Sequence, residues 1–105
     1  MQARELLQRI ESKSAPVIVD PRSTWEFGRG HIPGAINTPI WKLALNTAQL
    51  PPDRSSEMVI ACMHGQRARL AKKILALRNY RSMDFIEGWL EGWIKAGLPW
   101  DRPAS

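Results

Sequence analysis

The chain has 105 residues, enough to enclose one hydrophobic core and too few for two. Hydrophobic residues make up 44% and charged residues 24%, as in ordinary soluble globular proteins, and no uncharged apolar run approaches the length of a membrane span. The formal net charge of +5 admits nucleic acid, a membrane surface or a small anion as partner, and the single cysteine, Cys62, excludes an internal disulfide.

"ARELLQRIES" places Leu6, Leu7 and Ile10 at helical spacing and predicts an N-terminal helix. Charged throughout, this stretch does not read as a signal peptide. "PVIVD" is a short continuous apolar run without alternation, the pattern of a strand buried on both faces. "RSTWEF" predicts a short helix, "GRGHIPGAINTP" a loop with tight turns, "IWKLALN" another short helix and "QLPPDRSSE" a connector. "EMVIAC" is a second buried strand, followed by the loop "CMHGQ". "RARLAKKILALRN" is then a strong helix, with Leu70, Ile74 and Leu77 on one line flanked by Ala71 and Leu75. "SMDFIE" is a third strand, and "EGWLEGWIKAG" a helix stopped by Gly97 and Pro99. Strands alternating with helices predict one α/β domain over residues 1–105, built on a mostly parallel central sheet flanked by helices. Asp20, Cys62 and Glu87 end the three runs, and ligands of such sheets bind beyond the carboxyl ends of the strands.

Cys62 therefore ends a buried strand, and a helix begins near Arg67. A short loop at that junction aims backbone N–H groups at one point, and the helix start adds partial positive charge. A cysteine at the centre of such a nest is expected as a thiolate, helped by Arg67. The bland alternative is a small buried hydrophobe, which is what a lone cysteine at a strand end most often is. The nest and the glycine move the reading toward a working thiol, with phosphatase chemistry still open. Arg67 lies toward the apolar line of its helix, where a charge needs a partner, and Glu26 is the expected one. The basic run from Arg67 to Arg81 otherwise reads as a solvated helix face and needs no nucleic acid.

Two blocks together resemble the rhodanese family. "DPRSTWEFGRGHIPGAIN", residues 20–37, is similar to its upstream signature, and "CMHGQRA" is similar to its Cys–x–x–Gly–x–Arg active-site loop. "EGWLEGWIKAGLP" is similar to its closing helix, so the matches run in order from residue 17 to 99. The resemblance implies the three-layer rhodanese-like fold and a sulfurtransferase. Such an enzyme takes a sulfane sulfur from a small anionic donor such as thiosulfate. It holds the sulfur as a persulfide on Cys62 and passes it to cyanide, a small thiol or a protein sulfur acceptor. Met63, His64, Gly65, Gln66 and Arg67 match the loop whose amides cradle the sulfur. The related cell-division-cycle phosphatases carry a loop one residue longer than the six from Cys62 to Arg67, so the resemblance favours sulfur over phosphate or arsenate.

Three positions depart from the family pattern. Pro21 replaces a small β-branched residue, Ala68 replaces a frequent Ser, and Trp89 replaces the second Gly of Glu–Gly–Gly. Trp89 is either a pocket wall beside the thiol or a packing partner of Trp93. Asp20 and Arg22 match family positions and read as scaffold, His31 as a turn residue bonded to nearby backbone, and Gly34 as a positive-φ turn residue. His64 either meets a substrate anion or points to solvent. No zinc-ligand spacing and no phosphate-binding Gly–Lys pattern is present, so neither a metal nor an organic cofactor is expected. A reducing, cytoplasmic compartment suits a working thiol. The rival readings are a small phosphatase or arsenate reductase on the same scaffold, and a non-enzymatic docking module of a sulfur relay.

Overall fold

In the computed structural model, which describes residues 1–102, the three apolar runs become β1 (Val17–Asp20), β3 (Met58–Ile60) and β4 (Met83–Phe85). A further strand, β2 (Ile36–Asn37), lies in the segment expected to be loop throughout. It has two residues and occupies a sheet edge, too short to show a period among its glycines and prolines. The sheet order is β2-β1-β3-β4, and every pairing is parallel. The helices are α1 (Ala3–Glu11), α2 (Thr24–Arg29), α3 (Ile40–Ala44), α4 (Gln66–Leu77) and α5 (Trp89–Lys95). Ser23 starts α2 with a capping box, its hydroxyl accepting the Glu26 N–H while the Glu26 carboxylate accepts the Ser23 N–H.

Side chains of the central strands alternate between two core clusters. Val59 and Ala61 pack with Leu6 of α1 and with Leu90 and Trp93 of α5. Met58, Ile60 and Cys62 pack on the opposite face with Leu43 of α3 and with Ala68, Ala71 and Leu75 of α4. Both faces of the sheet are thus covered, which is the expected three-layer α/β arrangement and the reason β1 and β3 read as continuous apolar runs. Among the described residues, no helix is long and apolar enough to cross a membrane.

The buried face of α4 differs from the expected one. Leu77 is 84% exposed and Leu70 47%, whereas Ala68, Ala71 and Leu75 are fully buried. A wheel weighted by side-chain size picks the leucines. The fold instead turns the alanines inward, because α4 must lie close against β3 and α3. The basic run is solvated as expected at Arg69, Lys72, Lys73 and Arg81, and several of its cations also have partners. Arg67 is paired with Glu26, Arg69 lies over the Trp89 ring at 5.3 Å and Lys72 over Phe85 at 5.1 Å. Arg78 donates to the Leu43 and Ala44 carbonyls at the end of α3, where a cation meets the negative end of the helix dipole.

Candidate active site

The register of β3 fixes the thiol. Cys62 follows the strand by two residues, and the Ala61 N–H still donates to Val19. The residue is 1% exposed, and its Sγ receives the Gly65 N–H at 3.0 Å and the Ala68 N–H at 3.3 Å. Two backbone amides thus converge on one buried sulfur, the nest geometry expected at this junction. Of the residues expected to cradle the sulfur, only Gly65 donates to the thiol itself. The second donor, Ala68, lies just beyond that loop. Its contribution is a backbone amide, so the missing Ser hydroxyl leaves it intact.

The loop is held from below by α5. The Leu90 and Glu91 N–H groups donate to the Cys62 and Met63 carbonyls at 3.0 and 3.2 Å. The N–H and C=O of one peptide plane point in opposite directions, so these bonds turn the Met63 and His64 amides away from α5. Both Gly88 (φ +80°) and Trp89 (φ +58°) adopt left-handed backbone to open the helix this way. Such a conformation is rare for a bulky residue.

Arg67 and Glu26 form a two-bonded pair, with Nη1 donating to Oε1 and Nη2 donating to Oε2 at 3.0 Å. The Arg67 hydrogen bond, aided by Ser23, holds the Glu26 carboxyl down at about 2. The pairing anticipated from residue types is therefore present, and it ties α2 to the start of α4. Asp20 is buried at 1% exposure and bonds Arg22 through Nε and Nη2, the latter also donating to the Gly30 carbonyl at 2.7 Å. The Asn37 side-chain amide donates to the Asp20 and Arg22 carbonyls. Asp20 thus anchors the segment leading to α2. Glu87 stands exposed two residues beyond β4.

Trp89 touches the loop. A Cβ built at Gly65, whose φ is +95°, would lie 2.5 Å from the Trp89 ring. The ring packs at 5.2 Å on Phe85 in the cluster that holds Cys62, while Trp93 belongs to the opposite cluster. Of the two readings of Trp89, packing on Trp93 is therefore incorrect. The backbone turn at Gly88–Trp89 sends the two tryptophans to different faces of the sheet. The His64 side chain is 68% exposed and points outward to Glu91, 3.2 Å away, and Glu91 in turn holds Lys95. His31 bonds the Phe27 carbonyl at 2.9 Å and stacks on the Phe27 ring, a local structural contact.

A cleft of about 300 Å³ opens beside the loop, lined among others by Trp25, Glu26, Arg29, Met63, Trp100 and Arg102. Trp100 comes from a C-terminal strap that bridges His31 through Asp101. It lies where a Cβ at Gly30 would stand, 1.8 Å from its Nε1. Sequence patterns give no sign of this cleft, since its residues come from α2 and its flanks, the Cys62 loop, α5 and residues 100–102. The only local signal was a tryptophan at position 25 on a helix too short to bury it.

The rhodanese-like domain family profile matches residues 2–96. A sulfurtransferase of Allochromatium vinosum is 29% identical over 92% of this chain and 89% of its own length. The thiosulfate sulfurtransferase GlpE of Shewanella oneidensis is 31% identical over 91% of this chain and 92% of its own. Longer proteins contain similar regions: the chain spans about half the length of an uncharacterized Synechocystis protein (53%) and of a Mycobacterium tuberculosis HTH-type transcriptional regulator (43%). The human single-domain sulfurtransferase TSTD1 superposes with a TM-score of 0.75 at 26% identity, over 90% of this chain and 94% of that one. A thiosulfate sulfurtransferase from Pseudomonas aeruginosa shares the fold over 97% of this chain and 19% of its own, with a TM-score of 0.85 at 22% identity. On the strength of the profile match, the parallel sheet and the Cys62 loop, the chain belongs to the rhodanese-like sulfurtransferase family.

Proposed function

We propose that the protein moves a sulfane sulfur from a donor such as thiosulfate to a thiol or cyanide acceptor, with Cys62 as the carrier. The observation that carries this reading is the Cys62 sulfur held at the end of β3 by the Gly65 and Ala68 amides. In the first step the Cys62 thiolate attacks the outer sulfur of thiosulfate. The Cys62 S–S bond forms, the donor's S–S bond breaks and sulfite leaves with the electron pair. In the second step an acceptor thiolate attacks the outer sulfur of the persulfide, and the Cys62 thiolate is the leaving group. Charge and atoms balance in both steps, and neither needs a metal or an organic cofactor.

The persulfide projects its outer sulfur about 2.05 Å past Sγ. In this reading the amides of Met63, His64, Gln66 and Arg67 surround that outer sulfur, whereas Gly65 and Ala68 serve the inner one. Fixed N–H dipoles at the position of developing charge lower the barrier without reorganisation. Arg67 keeps the start of α4 in place through Glu26, and Trp89 walls one side of the loop. Asp20 holds the scaffold beneath. A reducing compartment such as the cytoplasm would keep Cys62 available between turnovers.

The test is mass spectrometry of the intact protein after incubation with thiosulfate. A gain of one sulfur atom is expected on the native chain and not on Cys62→Ser. A folded native chain that gains no sulfur from thiosulfate or other sulfane donors would sink the reading. Hydrolysis of an aryl phosphate through Cys62 would replace it with the phosphatase alternative.

A further inference from the structure

We infer that Arg69 is a positioning residue of the thiol site: it acts through Trp89, holding the indole on Gly65 and so keeping the Gly65 N–H on the Cys62 sulfur. The kinetic consequence rests on the persulfide reading. The chain of contacts is short. The Gly65 N–H donates to Cys62 Sγ at 3.0 Å, and the Gly65 carbonyl accepts the Arg69 N–H at 3.0 Å. A Cβ at Gly65 would lie 2.5 Å from Cε2 and Cζ2 of Trp89, so the edge of the indole covers this residue directly. The Arg69 guanidinium carbon stands 5.3 Å from the centre of the same ring. A cation over a ring face is attracted by the ring's quadrupole, most strongly for tryptophan. Among the described residues Arg69 has no carboxylate partner, which leaves the indole as the group that orders its side chain.

Two observations mark the arrangement as more than packing. Trp89 holds a left-handed backbone, φ +58°, which few bulky residues adopt, at a position where the rhodanese family usually has glycine. Core burial does not require that turn, because Trp89 is half-buried and only borders the cluster that contains Cys62. What the strained turn achieves is the place of the indole over Gly65. Gly65 is also the loop's only glycine. With φ +95° and no side chain, it rotates its peptide planes at little steric cost, and a rotation would carry the N–H off the sulfur. The indole blocks that rotation from outside, Phe85 backs the ring at 5.2 Å and Arg69 closes over it. Lys72, one turn further along α4, lies over Phe85 at 5.1 Å and repeats the arrangement one ring away. These two exposed cations thus brace the cover of the thiol's loop as well as solvating their helix.

A double-mutant cycle with two readouts tests this. The first is hydrogen exchange at the Gly65 amide followed by NMR, which needs no sulfur chemistry. The second is the rate of sulfur loading, followed by mass across a range of thiosulfate concentrations. Arg69→Ala is expected to speed Gly65 exchange about two- to fivefold and to slow loading at saturating thiosulfate by a similar factor, with the half-saturating concentration unchanged. Arg69→Lys keeps a cation over the ring and should restore most of both. Trp89→Gly and Trp89→Leu both remove the indole face, and the second retains apolar bulk at the position. In either background Arg69→Ala should change neither readout, and having two keeps the cycle readable where one does not fold. Native-like exchange at Gly65 in Arg69→Ala overturns the clamp, whatever the loading rate. Faster exchange with loading unchanged overturns the positioning role, since the brace would then be structural only. An Arg69 effect of equal size with and without Trp89, or one confined to the half-saturating concentration and erased by salt, also overturns it, because the arginine would then attract the donor anion directly. A native chain that never loads, while Gly65 exchange still follows Arg69 through Trp89, refutes the persulfide reading and leaves the clamp standing.

Discussion

Glu26→Gln separates the charge of the Glu26–Arg67 pair from its shape. The carboxylate receives two Arg67 N–H groups as well as the Ser23 N–H and hydroxyl, and an amide of equal size keeps only part of that set. Taken at face value, lowering Glu26 from 4.5 to about 2 corresponds to about 3.4 kcal/mol of stabilisation. The Arg67 side chain is 39% exposed and that of Glu26 28%, so solvent screens the pair and about 1 kcal/mol is the realistic share. The capping box adds about 0.5 kcal/mol through the same carboxylate. The folded protein binds this proton more weakly than the unfolded chain. The stabilisation is therefore complete above pH 4.5 and is lost as pH falls toward about 2. Urea unfolding followed by circular dichroism should show the variant less stable by about 1.5 kcal/mol near neutral pH, with the gap closing below pH 4.5. Equal stabilities near neutrality would refute the brace. So would a gap that persists unchanged in strong acid, since its source would then be packing and not charge.

Other substitutions test other parts of the site and fold. Gly65→Ala places a Cβ 2.5 Å from the Trp89 ring at a φ of +95°, and a loss of about 1–3 kcal/mol in urea unfolding is expected. Adding Trp89→Gly should recover part of that loss, because it removes the clash and a left-handed bulky residue together. Asp20→Ala leaves Arg22, 2% exposed, without its carboxylate, and calorimetry should show a loss of about 3–5 kcal/mol. Leu77→Gln should stay within about 0.5 kcal/mol of the native protein whereas Leu75→Ala should cost about 2–5 kcal/mol. The reverse ranking would restore the leucine face of α4 predicted by the wheel.

The strands and helices that pass through the centre of the fold were readable because burial on both faces leaves an unbroken apolar run. "PVIVD" and "EMVIAC" announce β1 and β3 for that reason. The edge strand β2 was not readable, because its two residues are held by pairing with Val19 and Asp20 and not by any pattern of their own. The phase of α4 departs from the hydrophobic wheel for a related reason. Hydrophobicity ranks leucine above alanine, but a helix lying close against a parallel strand selects small residues at the contact, and Ala68 and Ala71 take it.

The same distinction holds at the site. Residue types point to the Arg67–Glu26 pair because a charge beside a buried face demands an opposite charge, and the two residues belong to the same side of the sheet. The donors around the sulfur were only half legible, since they are backbone amides whose direction depends on a distant helix. The Cys62 and Met63 carbonyls face Leu90 and Glu91 of α5, and that contact, made across 28 residues of sequence, decides where the following amides point. The left-handed turn at Gly88 and Trp89 sets it up, and Trp89 then returns to cover Gly65. One tryptophan at a position where the family usually has glycine thus ties the strain at the start of α5 to the shape of the thiol's loop. Loop and helix start form one mechanical unit, so a substitution at Trp89 should alter the loop even though its side chain makes no hydrogen bond to the sulfur.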